Sequence, residues 1–186
     1  MTSGSRRAGG GTLFTEPFLV VSRRTGTPGA CVRDQRGNPL GTVTEADERS
    51  FRKTLRTITG ASRFRANCFA VRDSGGSIVL KMRAHDSRFL VTRADGTPIG
   101  DITADGPRRF TLSASGRRLG ALDNAGVHDF TITDAVGSRV AGAAGRRAGS
   151  GADGYVVEVF AQLTDPLASL VIAAALTLET ALATTG

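Results

Sequence analysis

The side chains able to do chemistry in this chain are few and scattered. His85 and His128 are the only histidines, and neither stands at a metal-ligand spacing from the other or from a cysteine. Cys31 and Cys68 lie inside apolar, β-like runs, and their number and spacing make neither a disulfide framework nor a zinc site. Buried free thiols are expected. Asp34, Asp73 and Asp134 recur at equivalent places, but each is followed three residues later by a glycine, Gly37, Gly76 or Gly137. That is turn chemistry: the aspartate side chain bonds its own backbone and the glycine takes a positive φ. The glycine-rich stretches 9–11 and 141–151 lack the strand, Lys-Ser/Thr and helix context of a phosphate loop. No catalytic residue, no metal ligand set and no cofactor is expected, and the chain does not read as an enzyme.

Charge is the remaining functional signal. Lys plus Arg number 24 against 17 Asp plus Glu, a formal net charge of +7, and only Lys53 and Lys81 are lysines. Such a surface suits an anionic partner. Arginine pairs occur at 23–24, 108–109, 117–118 and 146–147, with a denser group at Arg49, Arg52, Lys53 and Arg56. Arg49, Arg52, Lys53, Arg56, Arg108, Arg109, Arg117 and Arg118 are the candidate lipid-contact residues, expected to meet on one rim. Each cation near an anionic headgroup surface contributes on the order of 1 kcal/mol. The competing reading is a dispersed, solubilising surface. Nucleic-acid binding would want exposed aromatics among the basic residues. With one tyrosine and no tryptophan, no nucleic-acid partner is expected.

The elements that position these residues come from a repeat. The run Val32-Arg33-Asp34-Gln35-Arg36-Gly37-Asn38-Pro39-Leu40-Gly41 aligns with Val91-Thr92-Arg93-Ala94-Asp95-Gly96-Thr97-Pro98-Ile99-Gly100. Gly76, Gly96, Gly116 and Gly137 fall about 20 residues apart, the mark of a repeated supersecondary unit. Apolar residues alternate into a turn, and a returning strand carries Leu-Gly or Ile-Gly, where a glycine permits a bulge or bend. The unit is a β-hairpin. About a dozen strands are expected, among them 18–22, 51–59, 64–71, 89–93 and 155–160, with a turn of helix at 44–50. Together they predict a closed or nearly closed barrel.

The C-terminal run TDPLASLVIAAALTLETALATT, residues 164–185, has Glu179 as its only charge after Asp165. Thr164 or Asp165 can cap it, and Pro166 suits a first turn. A helix apolar on nearly every side must be buried in lipid or protein. At 167–182 it spans about 24 Å, short of the roughly 30 Å hydrocarbon core. It lacks flanking cations and interfacial aromatics. A helix inside the barrel is therefore expected. Residues 1–12 read as a tail without the apolar stretch of a secretory signal, and 13–186 as a single domain.

A hairpin barrel of about 12 antiparallel strands around a hydrophobic C-terminal helix resembles the tubby-like fold. Leu13-Phe14-Thr15-Glu16-Pro17-Phe18-Leu19-Val20-Val21 is similar to the first strands of bacterial members of the phospholipid scramblase and LURP-one-related branch. The D-x-x-G-x-x-L/I-G hairpin at 34–43 is similar to theirs, as is Tyr155-Val156-Val157-Glu158-Val159 followed by Asp165-Pro166-Leu167 and the apolar helix. The resemblance implies a scramblase-like, non-enzymatic protein that binds anionic phospholipid, located in the cytoplasm and at the inner face of the plasma membrane, with phospholipid scrambling as its furthest extension. The alternative it leaves is a soluble tubby-like interaction or ligand-binding module with no lipid activity. The family's calcium segment corresponds here to a stretch with only Glu158 and Asp165, and Asp153 upstream, against the six or more oxygens calcium takes.

Overall fold

The computed structural model describes residues 11–23, 29–46, 68–85, 87–126, 128–144 and 154–183. Among them twelve strands follow in order: β1 (Phe18–Arg23), β2 (Ala30–Arg33), β3 (Pro39–Ala46), β4 (Cys68–Asp73), β5 (Ile78–His85), β6 (Arg88–Thr92), β7 (Pro98–Ala104), β8 (Arg109–Ala114), β9 (Arg117–Gly126), β10 (Asp129–Asp134), β11 (Arg139–Ala143) and β12 (Gly154–Val159). Each pairs antiparallel with the next. β12 closes on β1 from Phe18↔Glu158 to Ser22↔Gly154, so the sheet is a closed barrel without a free edge. The helix α1 (Leu167–Ala183) follows β12 and packs against β5, β7, β8 and β9.

Period-2 alternation aims one face of each strand into the lumen. Leu19, Val32, Val91, Ile102, Leu112, Ile132 and Val157 point inward and are fully buried. They meet Leu170 to Leu176 of α1, every one of which is buried, so the helix is the core of the barrel. Two polar side chains within it are satisfied. Tyr155 donates its hydroxyl to the Ala175 carbonyl at 2.7 Å, and Thr177 bonds the Ala173 carbonyl and the Met82 sulfur.

Five hairpins repeat one design. Gly37, Gly76, Gly96, Gly116 and Gly137 all have positive φ. In each hairpin the register shifts by one residue next to the turn, at Val32/Arg33, Val71/Arg72, Val91/Thr92, Leu112/Ser113 and Ile132/Thr133. These bulges curve the wall. The second glycine has a different reason from the expected bend. A Cβ on Gly41, Gly100 or Gly120 would lie 2.1, 2.2 or 2.4 Å from a carbonyl oxygen of the next strand over, on Arg72, Ser113 or Thr133.

Some local expectations are corrected. Thr44–Ala46 do not start a helical turn; they extend β3, pairing with Ala70, Phe69 and Cys68, because the ladder continues in register. The stretch before Phe18 is not strand: the Thr12 carbonyl accepts bonds from the Thr15 and Glu16 amides, making a turn that tucks Leu13 into the core. The expected strand 51–59 lies outside the described residues, and so does the first half of 64–71; its second half, 68–71, is strand, where β4 begins at Cys68.

The meander gives the barrel two distinct ends. The turns of hairpins β2–β3, β4–β5, β6–β7, β8–β9 and β10–β11 all lie at one end, here the turn end, together with the start of β1, the end of β12 and the start of α1. The opposite ends of the twelve strands make the far end.

Candidate functional site

The turn end is built by the aspartates that the sequence repeats. The Asp34 carboxylate accepts the amides of Arg36 and Asn38, Asp73 those of Gly75 and Ser77, and Asp134 those of Val136 and Ser138. They are turn-builders, as their spacing indicates. The aligned place in the β6–β7 turn holds Arg93 instead. Its guanidinium crosses to Asp165, 3.0 Å away, tying that turn to the start of α1. Asp165 also accepts the Ser169 hydroxyl at 2.6 Å and the Ser169 amide at 3.3 Å. These bonds, Ser169 first and Arg93 after it, hold the Asp165 carboxyl below its ordinary range. The backbone amide of Thr97 does the same for Asp95.

A groove of about 980 Å³ runs across the barrel mouth beside this ion pair. One side is the segment 14–17, the other the β5 and β6–β7 residues Val79, Leu80 and Arg93, and the floor is Ala168 with Ser169 at the first turn of α1. Leu163, Ala161 and Val159 complete an apolar wall. Its size is that of small-molecule sites, roughly 300–1,000 Å³.

The three exposed large apolar side chains among the described residues all sit at this end: Val136 at 85%, Phe160 at 39% and Phe14 at 36%. The sheet order places β10, β11, β12 and β1 side by side, so the three share one sector of the rim. Arg139 lies over the Phe160 ring, 4.5 Å from its centre. Exposed Arg117 and Arg118 flank the sector through the neighbouring β8–β9 turn, and exposed Arg33 and Arg36 flank it from β2–β3. Sequence reasoning did not single out Phe14, which falls in the opening run 13–21, or Phe160, which closes the expected strand 155–160. Arg93 was legible as the break in the aspartate repeat.

The eight sequence candidates do not form a single rim. Arg117 and Arg118 are at the turn end. Arg108 and Arg109 are at the far end, because β8 and β9 run antiparallel from Arg109↔Asp123 to Ala114↔Arg117. Arg109 faces Asp123 at 3.6 Å, with both side chains about half exposed. Arg49, Arg52, Lys53 and Arg56 lie outside the described residues. At the same far end His128, at φ 60°, stacks on Tyr155 with ring centres 4.9 Å apart. Among the described residues no group of three or more His, Cys, Asp or Glu side chains is arranged to hold a metal, and no helix is long and apolar enough to cross a membrane.

This is a closed 12-stranded antiparallel barrel filled by its own C-terminal helix, with an arginine-flanked apolar rim and a groove at the mouth where that helix begins. No protein-family model matches the chain, and no curated protein matches it in sequence. The X-ray structure of a protein from Arabidopsis thaliana is similar to it, with a TM-score of 0.55 over 83% of this chain and 86% of that one, at 17% identity. At that identity the likeness shows the fold alone.

Proposed function

We propose that this chain is a non-enzymatic barrel of the scramblase and LURP-one-related kind that binds the surface of anionic phospholipid membranes, at the inner face of the plasma membrane, with its turn end toward the lipid. The observation that carries this is the sector of Phe14, Val136 and Phe160, exposed together and flanked by exposed arginines. Apolar side chains clustered on a surface mark an interaction face. Alternating them with cations suits the boundary between headgroups and acyl chains, where burial of apolar area and attraction to anionic lipid add. The carboxylates of the same turns are engaged by backbone amides, while Arg33, which reaches the Gly37 carbonyl at 3.4 Å, and Arg36, Arg117 and Arg118 are exposed.

The test is co-sedimentation with phosphatidylserine vesicles. Wild type is expected to bind anionic but not neutral vesicles, and Val136→Asp/Phe160→Asp to lose about tenfold or more in affinity. Unchanged binding by that variant refutes the turn-end assignment. Absence of binding to any vesicle refutes the membrane-surface reading and leaves the soluble interaction or ligand-binding module. Retention through an alkaline carbonate wash would favour exit of the helix and scrambling.

A specific observation supports the far end as the competing docking face. The connections 24–28, 47–67 and 145–153 contain nine of the 24 basic residues and three of the 17 acidic ones, and the strands they join end at the far end. Arg108 and Arg109 share that end. Binding there would be electrostatic, lost at high salt and on Arg49→Ala/Arg52→Ala/Lys53→Ala/Arg56→Ala, and indifferent to Val136 and Phe160.

A further inference from the structure

We infer that the groove across the barrel mouth takes a single phospholipid, its acyl chain along the apolar wall and its phosphate on Arg93. The inference rests on the reading of the turn end as the lipid-facing end and gives that face a specific occupant. Continuity argues for a membrane lipid: Phe14 belongs both to the exposed rim and to the groove wall, so a chain leaving the bilayer at the rim meets apolar surface without crossing water. The wall of Pro17, Val79, Val159, Ala161 and Leu163 offers no charge, and Ala168 at the floor leaves space where a larger side chain would fill it.

The head group is argued from the cation at the edge. Arg93 lines the groove and is 52% exposed at its side chain, so its guanidinium can turn to a phosphate while its stem stays in place. Guanidinium binds phosphate bidentately. The exchange leaves Asp165 hydrogen-bonded and in contact with water, because it keeps the hydroxyl and amide of Ser169 when Arg93 leaves it and its side chain is 43% exposed. The other carboxylates at the groove are occupied too: Glu16, buried, accepts the Gly11 amide, and Asp95 accepts the Thr97 amide. Among the described residues Arg93 is thus the one groove cation placed to change partners, and Asp165 is its resting partner.

The experiment uses the full chain and dihexanoylphosphatidylserine below its micellar concentration, titrated by calorimetry, with glycerophosphoserine as the head group alone. Saturable binding of the diacyl lipid is expected, with the head group at least tenfold weaker. Ala161→Trp and, as a second groove-filling variant at an exposed position, Gln162→Trp should each weaken the lipid about tenfold, and Arg93→Ala similarly, with circular dichroism confirming that each is folded. Equal affinity for lipid and head group, or wild-type binding by folded Ala161→Trp and Gln162→Trp, overturns the proposal. The two readings fail separately. Vesicle binding without uptake of the short-chain lipid overturns the groove site alone. Uptake of the short-chain lipid without vesicle binding overturns the docking face and leaves the groove site standing.

Discussion

The Asp34 carboxylate is almost fully buried, accepts two backbone amides of its own turn and takes a third bond from the Asn38 side chain at 2.8 Å. Removing it strands those donors, so Asp34→Ala is expected to cost about 1–3 kcal/mol, read as a lower urea midpoint. Asp165 acts at the same scale with a pH signature. Its folded carboxyl titrates below the ordinary value of 3.8, held there by Ser169 and then Arg93. A depressed acid stabilises the fold above its unfolded pKa, and that contribution fades as pH falls through the lower folded value. The urea midpoints of wild type and Asp165→Ala should therefore differ at neutral pH and converge in acid below about pH 3.8. Because the side chain is 43% exposed, the gap is modest, about 1 kcal/mol at most for a helix-start acceptor. A gap that persists unchanged at pH 2 would show that the carboxylate charge is not what holds the helix start.

Among the elements, the hairpin is where sequence and structure agree most, and the reason is locality. An aspartate and a glycine three residues apart specify a turn without reference to the rest of the chain, so Asp34 with Gly37 and Asp134 with Gly137 could be read directly. The helix was legible for a similar reason: Leu170 to Leu176 is apolar all round, and a stretch too short for the hydrocarbon core points to burial in protein rather than lipid. What joins one hairpin to the next was not legible. Gly100 reads as a bend, yet its space is set by Ser113 on the neighbouring hairpin and by Leu170 of α1, 3.2 Å from where a Cβ would stand. Gly100→Ala is expected to destabilise the barrel by about 2 kcal/mol or more, since backbone cannot yield as a flexible side chain can. Gly106→Ala, where nothing lies within 4 Å, should stay within about 0.5 kcal/mol. Equal unfolding midpoints for the two variants would refute the close strand approach as the role of Gly100. The rim and groove were hidden for the same physical reason, for they assemble Phe14, Arg93, Val136 and Phe160 from four elements separated by most of the chain. Only Val136, two residues past the turn aspartate, stood at a position whose exposure the repeat itself implies.

At the scale of the whole molecule, the even number of antiparallel strands sorts everything the chain carries onto two ends. Among the described residues the basic and acidic side chains balance at 13 each, while the net charge of +7 belongs to the remainder of the sequence. The turn end holds the exposed apolar side chains, and the far end holds the strand ends that border the most basic connections. A flat membrane can meet one end at a time, so orientation separates the two forces: insertion of apolar side chains, which salt hardly weakens, and attraction of charge, which salt screens over about 10 Å at 0.1 M. The chain contains no tryptophan, so a single introduced indole reports its own surroundings without background. Phe160→Trp and Val136→Trp place it at the turn end, and Ala104→Trp, at the last residue of β7, places it at the far end. With phosphatidylserine vesicles, the two turn-end reporters should shift to the blue and be quenched by brominated acyl chains, while Ala104→Trp keeps its emission. The shift should survive added salt once binding is established. If Ala104→Trp responds and the turn-end pair does not, the barrel docks by its charged far end, and the apolar rim must serve something other than the bilayer.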